Sequence, residues 1–320
     1  MNELPEIVEI NTLDVLLQEM IDLKASDLHL GHTNKVAFRI DGRIKKTDKR
    51  IKGGDIFKTL TNAKAISDYQ LSTMHETNSA DFAYTYKKVR FRGNLTKEKG
   101  NYTCVIRRLS DVVIPMDEMG LPDFVKEELK KKDGMILVTG ATGSGKTTSL
   151  TSMIDHMNEN YDKHITTIEQ PIEYIHPQKV SVITQQEVGR DTPSFALGMR
   201  AILRRDPDVI LIGEMRDLET IEIACVAAET GHLVLGTLHT NTAIGTIERI
   251  TTIFPALQQQ NIRSQLASNL RIVINQRLIP RIDGGRIPAY EILVVTKEMR
   301  KAIRDNDIEE VERIMLERTD

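Results

Sequence analysis

The chain has 320 residues, 40% of them hydrophobic, with 46 acidic against 43 basic side chains and a formal net charge of −3. That length allows two domains, each with its own core, and the acidic balance argues against a protein that works on DNA or RNA, which needs a basic footprint. The two cysteines, Cys104 and Cys225, cannot build a disulfide framework or a four-cysteine zinc site. No apolar run approaches the roughly 18 residues that span a bilayer, and MNELPEIVEI lacks the basic flank and apolar stretch of a signal peptide, so a cytoplasmic protein is expected.

In chain order, Leu13, Leu16, Leu17, Met20 and Ile21 recur at helical spacing and predict an amphipathic helix. Strand-like pieces follow at 28–30, 36–40, 81–86, 89–94 and 103–109, with Asp41-Gly42 as a turn signal between two of them. Periodicity lapses from 110 to 122, where Pro115, Gly120 and Pro122 punctuate the chain. This divides the sequence into an α+β domain over 1–112, a linker over 113–122 and a second domain over 123–320. The charge run at 126–132 reads as a solvated helix end. Beyond it, short apolar strands at 135–139, 165–168, 209–212 and 233–238 alternate with helical stretches. Near-continuous apolar runs are what strands buried on both faces of a parallel sheet look like, so the second domain is expected to be doubly wound α/β. Ile308, Val311, Ile314 and Met315 predict a C-terminal helix.

The segment Gly140-Ala141-Thr142-Gly143-Ser144-Gly145-Lys146-Thr147 matches G-x-x-x-x-G-K-[ST] throughout, with the strand MILVT before it and the helix TSLTSMIDHM after it. Glycines let backbone N–H groups turn inward around phosphates, and the helix that starts here aims its positive end at the same anion. Lys146 is expected to reach the β- and γ-phosphate oxygens, and Thr147 to offer its hydroxyl to Mg²⁺.

A nucleotide hydrolase also needs a carboxylate near the metal and a group that positions water. Ligands of open α/β sheets sit outside the carboxyl ends of the strands. Glu214 closes the strand at 209–212, whereas Asp208 opens it and stands roughly 20 Å away by strand rise. Glu214 is therefore the expected metal carboxylate, acting directly or through water. Glu169 and Glu173 follow the strand at 165–168, separated by Pro171, and either could orient or deprotonate the attacking water. His232 and His239 flank LVLGTL. Seven positions along a strand put them on opposite faces, so they are candidates for contacting phosphate singly, together with Thr240, and not as a metal pair.

The sequence resembles the secretion ATPases of the type II/type IV pilus superfamily, most closely its pilus-retraction members, from about Leu13 to Met315. The resemblance is carried by ASDLHL at 25–30, GATGSGKTT ending at Thr148, TIEQPIE at 167–173, DPDVILIGEMRDLET at 206–220 and AAETGHLVLGTLHT at 227–240. It implies a PAS-like α+β domain followed by a RecA-like ATPase domain with a mostly parallel sheet, six subunits in a ring, and ATP bound between the two domains. It makes Glu214 the Walker B glutamate and Glu173 the catalytic one, and it brings Arg90, Arg92 and Arg107 to the phosphates. The implied partners are other copies in a homohexamer, ATP and ADP, and an inner-membrane pilus platform protein, with no insertion into the bilayer and no nucleic acid. Two departures stand out. Gln170 replaces the usual Asp of the Asp box, and the stretch 299–304 keeps only the outline of the C-terminal AIRNLI-type motif. The lack of an extra N-terminal domain and of a four-cysteine module favours retraction over pilus assembly or type II secretion, while a nucleotide-binding regulatory switch is the non-enzymatic alternative.

Overall fold

The computed structural model describes residues 13–31, 35–110, 112–282 and 284–317. By backbone contacts the chain divides into two compact units. One comprises 1–112 with the short segments 171–174 and 189–193; the other comprises 113–170, 175–188 and 194–320.

The first unit runs α1 (Leu13–Asp22), β1 (Asp27–Leu30), β2 (Lys35–Ile40), β3 (Arg43–Arg50), α2 (Gly53–Asn62), α3 (Asp68–Thr77), β4 (Ser79–Tyr86), β5 (Val89–Glu98) and β6 (Asn101–Arg108). The strands form one sheet in the order β3-β2-β1-β6-β5-β4, and every pairing in it is antiparallel. Alternate residues of the strands, among them Leu28, Phe38, Phe82, Phe91, Leu95 and Ile106, form a core with Leu13, Leu16, Leu17 and Met20 of α1. Burial of that apolar surface is the main force holding the layers together. Three hairpins close on two residues, both with positive φ: Asp41 and Gly42, Lys87 and Lys88, Lys99 and Gly100. That is the backbone a type I′ turn demands. Serine and glutamine start α3 with a capping box, in which Ser67 accepts from Gln70 N and the Gln70 side chain accepts from Ser67 N.

The second unit begins with a single 3₁₀ turn at Met116–Glu118 and α4 (Phe124–Leu129). It continues through β7 (Gly134–Thr139), α5 (Lys146–Asn160), β8 (His164–Glu169), β9 (Val182–Glu187), α6 (Phe195–Ile202), β10 (Val209–Ile212), α7 (Leu218–Glu229) and β11 (Leu233–Leu238). It ends with α8 (Ala243–Ile253), α9 (Ala256–Asn269), β12 (Leu270–Pro280), β13 (Arg286–Val294), α10 (Lys297–Asp305) and α11 (Ile308–Leu316). The sheet order is β13-β12-β7-β11-β10-β8-β9, parallel except for the antiparallel edge pair β12–β13. The expected α/β architecture is thus present, as one antiparallel and one mixed, largely parallel sheet. Each central strand feeds two cores. Ile210, Ile212, Met135 and Leu137 face one, and Val209, Leu211, Ile136 and Val138 face the other. Double burial is why those strands read as unbroken apolar runs.

No helix among the described residues is long and apolar enough to cross a membrane. Cys104 and Cys225 are both free and buried. Burial pushes both thiols up, Cys225 to about 12, so neither is a ready nucleophile.

Candidate nucleotide site

In the second unit β7 ends at Thr139, the chain turns through Gly140 to Gly145, and α5 starts at Lys146. Three glycines of this turn have positive φ, Gly140 at 142°, Gly143 at 77° and Gly145 at 90°. Only glycine enters such conformations without steric cost, so the curvature of the loop is written into its sequence. Thr142, Thr147 and Thr148 are exposed, whereas Ser144 and Lys146 are buried. Lys146 Nζ donates to Gly140 O at 2.8 Å and Ala141 O at 3.0 Å, so its ammonium curls inside the loop. Burial lowers its pKa, and the Glu214 carboxylate opposes that shift. The Ser144 hydroxyl oxygen is buried without a hydrogen-bond partner. A free donor inside a glycine turn at a helix N-terminus suits an anion with several oxygens.

Glu214 follows β10 at its carboxyl end, next to the end of β11. His239, just past β11, approaches Glu214 Oε1 with its Nε2 at 3.1 Å, and Arg216 pairs with the same oxygen. Burial lowers the His239 pKa, and the charges of Lys146 and Arg216 add to the shift while Glu214 opposes it. Nε2 can carry the proton that the carboxylate accepts. Thr142, Glu214, Met215, Arg216, Leu238, His239 and Arg249 line a cavity of about 450 Å³ beside the loop. One wall is thus the phosphate loop, and the others carry a carboxylate, an imidazole and two guanidinium groups.

Glu169 ends β8, directly beside β10. Its Oε1 accepts from Thr167 Oγ1 at 2.6 Å and from Gln185 Nε2 at 3.3 Å. Asp208 lies at the opening end of β10, where it accepts from His164 N at 2.8 Å and pairs with Lys163 at 3.6 Å. His232 precedes β11 at that same opening edge, and its Nδ1 lies 3.0 Å from Ala227 O. The second unit therefore gathers the loop, Glu214, His239 and Glu169 along the carboxyl ends of its strands. It leaves His232 at the opposite edge, one strand length from the loop.

The remaining candidates belong to the first unit. Arg92 and Arg107 face each other across β5 and β6, and Arg107 also pairs with Asp27 on β1. Asp27 is buried. Its Oδ1 accepts from Arg107 Nε at 2.7 Å, its Oδ2 accepts from Ser26 Oγ at 2.8 Å, and Arg39 stands 3.6 Å away. Burial alone would raise the Asp27 pKa, but the hydrogen bonds and charge of Arg107 and the Ser26 hydroxyl outweigh it, and the net shift is downward. Arg90 Nε donates to Ile172 O at 3.0 Å, within the segment 171–174 that also carries Glu173.

Sequence reasoning missed Gln276 and Asn275 of β12 and Arg249 of α8. For the first two a signal existed, because two adjacent polar residues interrupt the apolar run LRIVINQRLIP. Arg249 sits in an ordinary amphipathic helix and gave none.

Among the described residues no group of three or more His, Cys, Asp or Glu side chains could hold a metal by itself. The donor set instead fits a hard cation that arrives on a phosphate chain and keeps much of its water, taking one hydroxyl and one carboxylate from the protein. The exposed Thr147 at the start of α5 and Glu214 at the carboxyl end of β10 have the side chains those two roles call for.

A largely parallel sheet with a glycine-rich loop between β7 and α5, and a carboxylate at the carboxyl end of β10, defines a nucleotide-binding α/β protein of the phosphate-loop class. The chain belongs to the type II/IV secretion system protein family, whose family model matches residues 5–284. It is 41% identical to the type IV pilus retractation ATPase PilT of Pseudomonas aeruginosa over 286 residues, covering 89% of this chain and 83% of that one. It is 42% identical to a twitching motility protein of Neisseria gonorrhoeae over 252 residues, covering 78% of this chain and 67% of the other. A crystal structure of the pilus retraction motor PilT with bound ADP superposes with a TM-score of 0.87 at 46% identity, over 96% of this chain and 90% of that one. The chain is thus a member of an ATPase family.

Proposed function

We propose that this protein is a motor ATPase that couples ATP hydrolysis to retraction of a type IV pilus. The observation that carries the reading is the phosphate loop on β7 and α5 with Glu214 and His239 at the adjacent strand ends. Its likeness to pilus retraction ATPases over nearly the whole chain supplies the direction of work.

In this reading the first unit is PAS-like and spans 1–112, 113–122 is the linker, and 123–320 is RecA-like. Six copies form a ring that sits in the cytoplasm against the inner face of the membrane and acts on a membrane-embedded pilus platform protein. Gly140 to Thr148 wrap the phosphates of ATP, and Lys146 exchanges its loop carbonyls for phosphate oxygens. Thr147 and Glu214 would hold Mg²⁺, which when bound would supply positive charge beside the β- and γ-phosphates. Glu173, or Glu169 in its place, orients the attacking water and takes its proton as the γ-phosphoryl group passes in line to that water and ADP leaves. Arg90, Arg92 and Arg107 bring positive charge to the phosphates, a contribution worth about 10³–10⁵ in rate for an arginine finger. His239 reports on the γ-phosphate through Glu214.

Deleting the gene tests the direction. Cells without the protein should carry more surface pili and lose twitching, and Lys146→Ala should fail to restore the wild-type state. A deletion strain that loses its pili would move the protein to pilus assembly.

A further inference from the structure

Asn275 and Gln276 interrupt the apolar run of β12, and both are buried, at 2% and 1% exposure. Polar side chains in that setting need partners, and those of Gln276 are on the phosphate loop and its helix. Its Nε2 donates to Ser144 O at 2.8 Å, and its Oε1 accepts from Ser149 Oγ, on α5, at 2.6 Å. This arrangement fixes the amide. A carbonyl only accepts, so turning the amide over would set Oε1 against Ser144 O. The loop is also shaped to this residue. A Cβ on Gly145 would stand 2.7 Å from Gln276 Nε2, and a Cβ on Gly140 would stand 2.4 Å from Gln276 O.

The Ser144 carbonyl shares a planar trans peptide with the Gly145 N–H, and in such a peptide the two groups point in opposite directions. With the carbonyl held toward β12, the Gly145 N–H points away from β12, to the side where an anion would sit. We propose that Gln276 is a positioning residue for the phosphate loop: through the Ser144 carbonyl it aims the Gly145 N–H at the phosphate oxygens of a bound nucleotide. The inference rests on the reading of this loop as a nucleotide site. Asn275 braces the same region from the other face of the strand. Its Nδ2 donates to Thr139 Oγ1 at 3.0 Å and to Thr240 O at 2.9 Å. An N–H that meets phosphate both before and during transfer contributes uniform binding, so losing its aim raises KM more than it lowers kcat.

The test uses the full chain, a fluorescent ADP titration and phosphate release from ATP. Gln276→Met keeps the side-chain volume and removes both hydrogen bonds. It should raise the Kd for ADP and the KM for ATP about tenfold, equivalent to about 1.4 kcal/mol, and leave kcat within about threefold. Gln276→Glu, which still accepts from Ser149 but turns a carboxylate toward Ser144 O, should weaken ADP more than Gln276→Met does. A glutamine that only stabilises the fold would lower the melting temperature and leave Kd and KM at wild-type values, which overturns the proposal. Should Gln276→Met fail to fold, Ser149→Ala decides. It withdraws one support from the amide and should raise the Kd for ADP about threefold, and an unchanged Kd overturns the proposal. Wild-type protein that binds no ADP would bring down the nucleotide reading and this inference together. Wild-type binding matched by the variants would bring down the role of Gln276 alone.

Discussion

Acid should weaken the second unit through one histidine. His176 is 8% exposed, and burial pushes its pKa down from 6.5 to about 4; the Asp155 charge opposes that shift and the Lys179 charge adds to it. The unfolded chain takes up a proton near pH 6.5 and the folded one only near pH 4. Between those values the unfolded state binds more protons, so stability rises with pH. This contribution is fully present above pH 6.5 and is lost as pH falls to 4. A shift of that size is worth about 3 kcal/mol in all and about 2 kcal/mol at pH 5. The His176 backbone N–H donates to Gln185 Oε1 at 2.9 Å and so ties the connection between β8 and β9 to β9 itself. Urea unfolding of wild type and His176→Gln at pH 7 and pH 5 measures the effect. Wild type should lose about 2 kcal/mol more than the variant between the two values. Parallel losses would refute the assignment of this pH dependence to His176.

Gly145→Ala should abolish tight ADP binding while the protein still folds. It adds a side chain at a φ of 90° and crowds Gln276, at about 2–3 kcal/mol together; an ADP titration indistinguishable from wild type would contradict this. Asp27→Asn should cost about 1–3 kcal/mol in chemical denaturation, since it leaves Arg107 and Arg39 without the buried carboxylate they share. The stability owed to its lowered pKa is present above about pH 3.8 and is lost below it. A variant of wild-type stability would show that the cluster holds nothing in place. Replacing Lys87-Lys88 by Asn-Gly should raise the melting temperature by a few degrees, because both lysines occupy positive φ; a lowered melting temperature would mean that the lysines make contacts worth more than the strain.

How much was legible in the sequence depended on burial. The strand expected at 209–212 and the one at 233–238 match β10 and β11, because two buried faces leave an unbroken apolar run bounded by polar residues. By contrast β3 (RIKKTDKR) had no apolar alternation to reveal it. It is an edge strand, where charged side chains protect against pairing with another chain and erase the pattern. The Lys87-Lys88 turn carries neither Asn nor Gly, so the first unit's hairpins were only partly readable. At the site, the glycine spacing marked the turn between β7 and α5, and strand polarity alone put Glu214 and Asp208 at opposite ends of β10. Distances between strands that are far apart in sequence were out of reach. Gln276 lies 132 positions beyond the Ser144 it holds, and His239 meets Glu214 only because β10 and β11 are neighbours.

Release of phosphate from ATP by the purified chain, measured with magnesium beside Lys146→Ala, bears most directly on the central claim. Lys146 supplies the only ammonium that lies within hydrogen-bond reach of the loop carbonyls among the described residues. Wild-type protein should turn over ATP, and the variant, still folded by its melting curve, should be slower by about a hundredfold or more. Turnover by Lys146→Ala at the wild-type rate would show that hydrolysis does not take place at this loop.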